Sequence, residues 1–502
     1  MRIIYFDIDT LRPDHLSCYG YHRNTSPNID TVAERGVRFT NCYTSNPPCG
    51  PSRTALWSGR FGFHTGVEGH GGTAADPFLE GRERWFYSKW GETNWMSGLR
   101  KQGIRTVTVS PYAERHSAWH WYAGYSEIYN PGKSGEELAD DVTPFALRWI
   151  ELNAQTDNWF LHINYWDPHT PYRTPKEYGE PFKDDPLPDW LTEEVRQKHW
   201  QGCGSWSAQE GMGYGGPHPY VGPQYPRQPN AMSSMHEVRR MFDGYDTGVR
   251  YTDDHIGRIL NALADLGVLE ETAIIVSADH GENLGELNIY YDHQTADKFT
   301  ANVPLIIHWP GITDRCNKNV DHELHYQFDM AATVIELVGG EIQDNWDAIS
   351  FADTFIKSEH SGRDYLVLTQ AAHTCQRSVR FGDYLCIRSY HDGFHNFPPL
   401  MLFNFKNDPH EQSDIAKQQP ELVGRAMTML TEWQMEMMRT STRSNDPLFT
   451  VLKEGGPLHT REGVQMYIQR LRDTNRHECA EALLTAHPEI LRDKKNSSQQ
   501  ME

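Results

Sequence analysis

The stretch Cys49-Gly50-Pro51-Ser52-Arg53, continued by Thr54-Ala55-Leu56-Trp57-Ser58-Gly59-Arg60, places a thiol, a proline and a guanidinium within one predicted helical turn. Proline suits a first turn because its φ is already helical and it has no N–H to satisfy. The free N–H groups and dipole of a helix start attract anions, and the arginine fork matches sulfate or phosphate. Such a position also predicts a lowered pKa for Cys49. The stretch predicts a nucleophile presented to an anion, with a buried structural cysteine as the alternative.

Short apolar runs alternate with amphipathic segments along the rest of the chain, which is typical of an α/β fold. The pattern predicts buried strands at residues 3–8, 106–110, 159–165, 272–278 and 304–309. It predicts helices at residues 28–35, 141–153 and 237–266. We therefore expect a sheet flanked by helices.

Acidic residues and a histidine lie at or directly after the ends of two of these strands. Asp7 and Asp9 belong to Ile3-Ile4-Tyr5-Phe6-Asp7-Ile8-Asp9, and alternation puts both on one face. Asp279 and His280 follow the apolar run 274–278. If the two strand ends were neighbours, they would form a carboxylate-rich site for a hard cation such as calcium or magnesium. The alternative is that each aspartate caps a nearby helix.

The stretch Cys49-Gly50-Pro51-Ser52-Arg53, with Leu56 and Gly59, resembles the signature of the type I sulfatases. In that family the cysteine is oxidised after translation to Cα-formylglycine, whose hydrated aldehyde is the nucleophile, by a formylglycine-generating maturation enzyme. Further similar segments reach from residue 3 to about residue 435, whereas about 170–250 and the C-terminal tail match poorly. The resemblance implies the alkaline phosphatase-like fold: a large mixed, mostly parallel sheet flanked by helices, with a smaller C-terminal antiparallel sheet.

The same resemblance assigns Asp9 and Asp279 as ligands of a divalent cation, with calcium favoured and magnesium or manganese as alternatives. His280 stands where many sulfatases have asparagine, and this Asp-His pair is similar to that of phosphonate monoester and phosphodiester hydrolases. Thr10 replaces a second aspartate of many members, so Asp7 is either a further ligand or a support behind the ligands.

Histidines supply the candidate acids and bases. His169 ends the segment 160–169 and resembles an active-site histidine of the family. His293 precedes Pro304 by 11 residues, the spacing of a sulfate-binding and proton-donating residue, and we expect neighbouring anions to keep it protonated. The family's Gly-Lys-x-His segment has no lysine here, and Arg115 and His116 are the candidate replacements. His162 receives no role.

The length of 502 residues predicts more than one domain. We place a catalytic domain at 1–361 and a C-terminal subdomain at 362–502, with strands at 365–369, 378–381, 384–388 and 402–405 and a helix at 420–438. The aromatic-rich segment 181–230 has little periodicity and is predicted to be an insertion that caps a binding site.

Composition excludes several classes of function. A formal charge of -21 argues against nucleic acid and anionic membranes as partners. No apolar run is long enough for a membrane span, and the N-terminus has no export signal, which predicts a cytoplasmic protein. The eight cysteines have no zinc-type spacing; their scatter suits a reducing compartment, although an even number permits disulfides.

The resemblance implies a sulfuric ester hydrolase whose substrate is a small-molecule or oligosaccharide sulfate ester. The aromatic-rich insertion favours a sulfated carbohydrate, because aromatic faces pack on sugar rings. One alternative keeps the fold and cleaves phosphonate monoesters or phosphodiesters. A second is a non-catalytic metal-containing binding protein whose Cys49 is never converted. The pattern makes no prediction of oligomeric state.

Overall fold

The fold is built on a large central sheet in a computed structural model that describes residues 1–81, 88–207, 224–316, 319–488 and 490. The strands are, in chain order, β1 Arg2–Ile8, β2 Val37–Tyr43, β3 Arg105–Val109, β4 Glu127–Tyr129, β5 Trp159–Tyr165, β6 Thr272–Ser277, β7 Asn283–Leu284, β8 Tyr290–Asp292, β9 Asn302–His308, β10 Val320–Asp321, β11 His325–Tyr326, β12 Tyr365–Gln370, β13 Cys375–Phe381, β14 Tyr384–His391 and β15 Leu400–Asn404.

The α-helices lie between and after these strands. They are α1 Pro27–Arg35, α2 Cys49–Ser58, α3 Gly62–Thr65, α4 Lys89–Thr93, α5 Trp95–Lys101, α6 Tyr112–Arg115, α7 Ala139–Asn153, α8 Glu193–Gln201, α9 Met235–Asp265, α10 Lys298–Ala301, α11 Asp329–Leu337, α12 Ala352–Ile356, α13 Pro420–Thr440, α14 Pro447–Lys453, α15 Leu458–Asp473 and α16 His477–Ala486.

The central sheet has the strand order β10-β2-β9-β6-β1-β5-β3-β4, with β11 also paired to β2. The pairs of β1 with β5 and with β6 are parallel, whereas β9 runs antiparallel to β2 and β6. Strands β1, β5 and β6 are buried along their whole length, which explains their nearly continuous apolar sequences. The predicted mixed, mostly parallel sheet flanked by helices is confirmed, as are the predicted strands and helices in outline.

A separate antiparallel sheet in the order β12-β13-β14-β15 follows, with α13 packed against it. It was predicted from the strand-like runs after residue 362. The two parts share an apolar contact in which the rings of Phe61 and Trp433 meet edge to face at 5.5 Å. The boundary at 361/362 stays a prediction.

The predicted insertion is more regular than its sequence pattern indicated, because α8 lies within it. Its residues 208–223 lie outside the described part of the chain, and so does the predicted tail from 491 onward. Cys203, just after α8, forms a disulfide with Cys479 on α16, with the two Cα atoms 5.3 Å apart. The other six cysteines are free thiols, and the cellular compartment stays a prediction.

Among the described helices, none combines the length and the apolar character needed to cross a membrane.

Candidate active site

The strand ends of β1 and β6 lie side by side, which is the condition under which the sequence predicts a cation site. The register pairs Asp7 with Ser277, so the residues that follow each strand emerge at the same edge of the sheet. There the candidate ligand atoms of Asp9, Cys49, Asp279 and His280 all lie within 4.8 Å of one another, and all four residues are buried. The structure thus brings the predicted nucleophile and three of the predicted metal ligands into one cluster.

Cys49 is the first residue of α2, where Pro51 fits the first turn as predicted. Its Sγ atom lies 3.1 Å from Nε2 of His280 and 4.0 Å from Oδ1 of Asp9. The predicted lowering of the thiol pKa is wrong: burial, together with Asp9 and Asp279, raises the pKa of Cys49 well above its ordinary value. Loss of solvation and two nearby carboxylates outweigh the helix start, so the thiol is held in its neutral form.

Arg53 lies one turn further along α2, on the same face as Cys49, because residues four apart in a helix are neighbours. Its Nε donates to Oδ2 of Asp7 at 2.9 Å, its Nη1 donates to Asp279, and its Nη2 lies 3.4 Å from Asp9. Asp7 is not among the four clustered ligands. It accepts from Arg53 and lies 3.3 Å from Nε2 of His162, a histidine without a predicted role. The geometry places Asp7 behind the cluster.

His280 is oriented so that Nε2 faces the cluster. Its Nδ1 lies 2.8 Å from the carbonyl oxygen of Gly281 and can donate to it, which fixes the ring with Nε2 directed at the cluster. That Nε2 is 3.3 Å from Oδ2 of Asp279 and 3.8 Å from Oδ1 of Asp9. Beside these groups, Oγ1 of Thr10 is buried without a hydrogen-bond partner, and the backbone N of Thr10 donates to Asp279 at 3.3 Å.

Charges around the cluster shift the two carboxylates apart. Although burial opposes it, Arg53 and the histidines 169 and 280 lower the pKa of Asp9 to about 2. Burial outweighs Arg53 at Asp279 and raises the pKa of that carboxyl above its usual range. One carboxylate is therefore firmly ionised and the other is a better proton acceptor, a separation that acid–base chemistry uses.

His169 and His293 lie beside the cluster, and both are buried. Nε2 of His169 is 4.0 Å from Oδ1 of Asp9, and its ring centroid is 5.2 Å from that of His293. The ring of His293 is 4.5 Å from that of His280. The predicted tuning of His293 by anions is wrong: burial and the adjacent rings of His280 and His169 lower its pKa well below the ordinary value. Burial likewise lowers the pKa of His169 to about 3.

Both candidate replacements for the family lysine lie at the site. Nη1 of Arg115 is 3.4 Å from Oδ2 of Asp9, and its guanidinium stacks on the ring of Trp166. A ring nitrogen of His116, a ring nitrogen of His70 and the Sγ atom of Cys49 all lie within 4.8 Å of one another. Arg115 thus supplies the positive charge, and His116 lies beside the nucleophile.

Sequence reasoning missed His70, His373 and His459. His70 and His373 lie in connecting segments and His459 in the first turn of α15, so neither periodicity nor a strand end marks them. Their one signal is the total of 25 histidines, which does not say which of them meet.

The fold and the strand-end cluster together define a member of the alkaline phosphatase-like class. The chain belongs to the Sulfatase family, whose sequence model matches residues 2–340. Arylsulfatase K of Danio rerio is 26% identical over 434 residues, which cover 79% of this chain and 76% of that protein. The family match and this relative show that the chain is a sulfatase and therefore an enzyme, which argues against the alternative of a non-catalytic binding protein.

Solved structures share the fold. The phosphonate monoester hydrolase of Agrobacterium radiobacter superposes with a TM-score of 0.67 at 16% identity, over 87% of this chain and 96% of that one. A protein solved in complex with its substrate D-glucosamine-2-N,6-O-disulfate superposes with a TM-score of 0.67 at 18% identity, over 89% of this chain and 99% of that one. At these identities the likeness establishes the fold.

Proposed function

We propose that this sulfatase hydrolyses a sulfated carbohydrate, using Cα-formylglycine made from Cys49 and a divalent cation held by Asp9, Asp279 and His280. The observation that carries the proposal is the position of Cys49 at the start of α2, 3.1 Å from His280 Nε2 and inside the cluster of candidate ligands. A formylglycine-generating enzyme of the host is the required maturation partner.

The residues present fit a cation. Two carboxylates and one imidazole nitrogen, which is directed inward by the hydrogen bond to Gly281, form a donor set in which oxygen predominates. Hard cations prefer oxygen, so calcium is the favoured ion and magnesium or manganese the alternatives. When bound, the cation would neutralise charge on the sulfate oxygens.

The conversion of Cys49 explains why a buried neutral thiol stands in the nucleophile position. The hydrated aldehyde would supply one hydroxyl to attack sulfur and a second whose deprotonation releases sulfate. Asp279, with its raised pKa, is placed to accept a proton at the position of Sγ. Arg53 keeps Asp7, Asp9 and Asp279 in fixed positions through three ion pairs.

His169 and His293 are placed to act on the leaving group. The hydrogen bond between Nδ1 of His169 and the carbonyl oxygen of Thr170 leaves Nε2 directed toward Asp9. Because burial lowers the pKa of His169 to about 3, this Nε2 must first take up a proton before it can protonate a leaving alcohol. His293, with its Nδ1 buried and without a partner, has a free position for a sulfate oxygen. Arg115 adds a positive charge beside Oδ2 of Asp9.

A phosphonate or phosphate ester is the second candidate substrate, and one feature favours it. His280 follows Asp279 directly, the pair that is similar to that of phosphonate monoester hydrolases, and such an enzyme shares the fold. A sulfate monoester and a phosphonate monoester each carry one negative charge at the transferred group, so the net charge of the site does not separate them and their relative turnover decides.

The test uses protein matured in its host or co-expressed with a formylglycine-generating enzyme. Mass spectrometry of the peptide containing residue 49 measures conversion, and turnover of 4-nitrophenyl sulfate is then compared with that of the phenylphosphonate ester on the same leaving group. We expect the sulfate ester to be hydrolysed faster than the phosphonate ester, at a rate proportional to the fraction of protein in which Cys49 is converted. Preference for the phosphonate would favour the second candidate, and full activity of unconverted protein would exclude formylglycine.

A further inference from the structure

A row of imidazole rings continues the active site away from the metal ligands. From His293 the ring centroids lie 5.6 Å from His373, then 5.0 Å from His373 to His459 and 5.6 Å from His459 to His70. The row ends at His116, whose ring is 4.4 Å from that of His70. Since His116 and His70 also lie beside Cys49, the row curves around the nucleophile.

These rings carry unused hydrogen-bonding capacity. Nε2 of His70, His116 and His459 and Nδ1 of His373 are buried and have no hydrogen-bond partner. Buried polar atoms are rarely left without a partner, so this group of unpartnered nitrogens calls for a ligand. His373 is buried, whereas His70, His116 and His459 are half-buried, so the end of the row beside Cys49 is partly exposed.

The C-terminal helices supply one ring of this row, His459 in the first turn of α15. Leu458 packs so close to Gly71 that a Cβ on the glycine would lie 2.5 Å from its Cδ2. Thr460 donates to the carbonyl oxygen of His373 at 3.1 Å. These two contacts, on either side of His459 in the chain, fix the first turn of α15 against the other rings.

The far side of the same helical pair is also fixed. The disulfide joins Cys203 to Cys479 on α16, and Tyr467 on α15 donates to the carbonyl oxygen of Cys203 at 2.6 Å. Arg476 donates to the carbonyl oxygen of Gly204 at 2.7 Å. His459 is thus held in place by contacts at both ends of the α15–α16 pair.

We propose that His70, His373 and His459 form a subsite that binds hydroxyl groups of the sugar ring carrying the sulfate, with α15 closing one wall. The inference rests on the proposed function, because it names how that site selects a carbohydrate. A hydroxyl both donates and accepts, and an imidazole offers one nitrogen for each role. A second sulfate or a carboxylate would instead call for the guanidinium or ammonium group of an arginine or lysine.

The experiment compares substrates with and without sugar hydroxyls. A panel of monosulfated glucosamine, galactose and uronate derivatives identifies the fastest saccharide, which is then measured beside 4-nitrophenyl sulfate. For His459→Ala and His373→Ala we expect kcat/KM for the saccharide to fall at least tenfold more than for the aryl sulfate, mainly through KM. His477→Ala, an exposed histidine on α16, is the matched control and leaves both unchanged.

Binding provides a readout that does not depend on turnover. Calorimetry on Cys49→Ala protein should show about tenfold weaker binding of the same saccharide when His459→Ala is added. Equal losses on both substrates, or unchanged saccharide binding, would overturn the subsite. A second metal ion bound by the wild type and lost in His373→Ala would also overturn it, since His373, His293 and Asp292 offer ligand atoms within 4.8 Å. Saccharide binding without sulfate release would instead contradict the proposed function.

Discussion

The Sγ atom of Cys49 lies 3.1 Å from Nε2 of His280, although 231 residues separate the two in the chain. The contact exists because the first turn of α2 meets the end of β6 at the edge of the central sheet. The groups that are proposed to hold the cation therefore also surround residue 49. A substitution of one of these ligands is expected to affect the nucleophile, and a substitution of Cys49 is expected to affect cation binding.

Cys49→Ser should abolish multiple turnover and leave the fold intact. Serine and cysteine have similar volumes, and the site is already preorganised by Arg53 and the carboxylates, so we expect the melting temperature to change by less than about 2 °C. A serine hydroxyl has no second hydroxyl with which to expel sulfate, so at most one turnover per molecule is expected. Sulfate release measured by ion chromatography checks this, and sustained release by a homogeneous variant would remove the aldehyde from the mechanism.

Asp7→Asn should lower kcat without removing the cation. Asp7 accepts from Arg53 Nε at 2.9 Å and lies outside the clustered ligands, so its loss loosens the arginine that holds Asp279. Loss of such a supporting partner typically costs about 10–100-fold in activity or metal affinity. We expect this loss to appear in kcat rather than in metal affinity, so the metal content measured by plasma mass spectrometry should be unchanged.

Asp279→Asn is the comparison for Asp7→Asn, because Asp279 is one of the four clustered residues. It should lose both bound cation and activity. If Asp7→Asn protein also loses its cation, Asp7 is a ligand and the interpretation of Asp7 as a support is wrong.

Removal of the cation should destabilise the whole protein. Asp9 and Asp279 are buried within one cluster, where Arg53 partly relieves their mutual repulsion and the proposed cation would relieve it further. At a hundredfold excess over its dissociation constant, a ligand stabilises the folded state by about 2.7 kcal/mol. Chelation followed by dialysis should lower the melting temperature, and calcium should restore it in wild type but not in Asp279→Asn.

The sequence predicted the sheet well because its central strands are apolar along their whole length and end in charged residues. Ile3–Ile8 and Thr272–Ala278 are recognisable for that reason, and Asp9 and Asp279 were located by their place after those strands. The arrangement of parallel neighbours follows from the fold class.

Other features depend on contacts between distant segments, which no local pattern encodes. His459 reaches the site only because α15 packs on Gly71 and the turn at His373, contacts that join residues far apart in the chain. The raised pKa of Cys49 likewise depends on two carboxylates that burial brings close. The local sequence pattern indicates only the helix N-terminus at Cys49, which predicts a lowered pKa rather than a raised one.

Glu68→Gln should make stability less dependent on pH. Glu68 is buried 3.4 Å from Arg377, which is itself bound bidentately by Asp446. Burial outweighs Arg377 and raises the pKa of Glu68 from 4.5 to about 8. A raised folded-state pKa means that stability present below pH 4.5 is lost as the pH rises through about 8. Glutamine mimics the protonated acid, so between pH 5 and pH 9 the variant should lose at least about 1 kcal/mol less in denaturant unfolding than wild type. Glu34→Gln, which changes an exposed carboxyl on α1, is the control. If the free energy of unfolding depends on pH in the same way in wild type and both variants, Glu68 is ionised in the folded protein and the prediction is wrong.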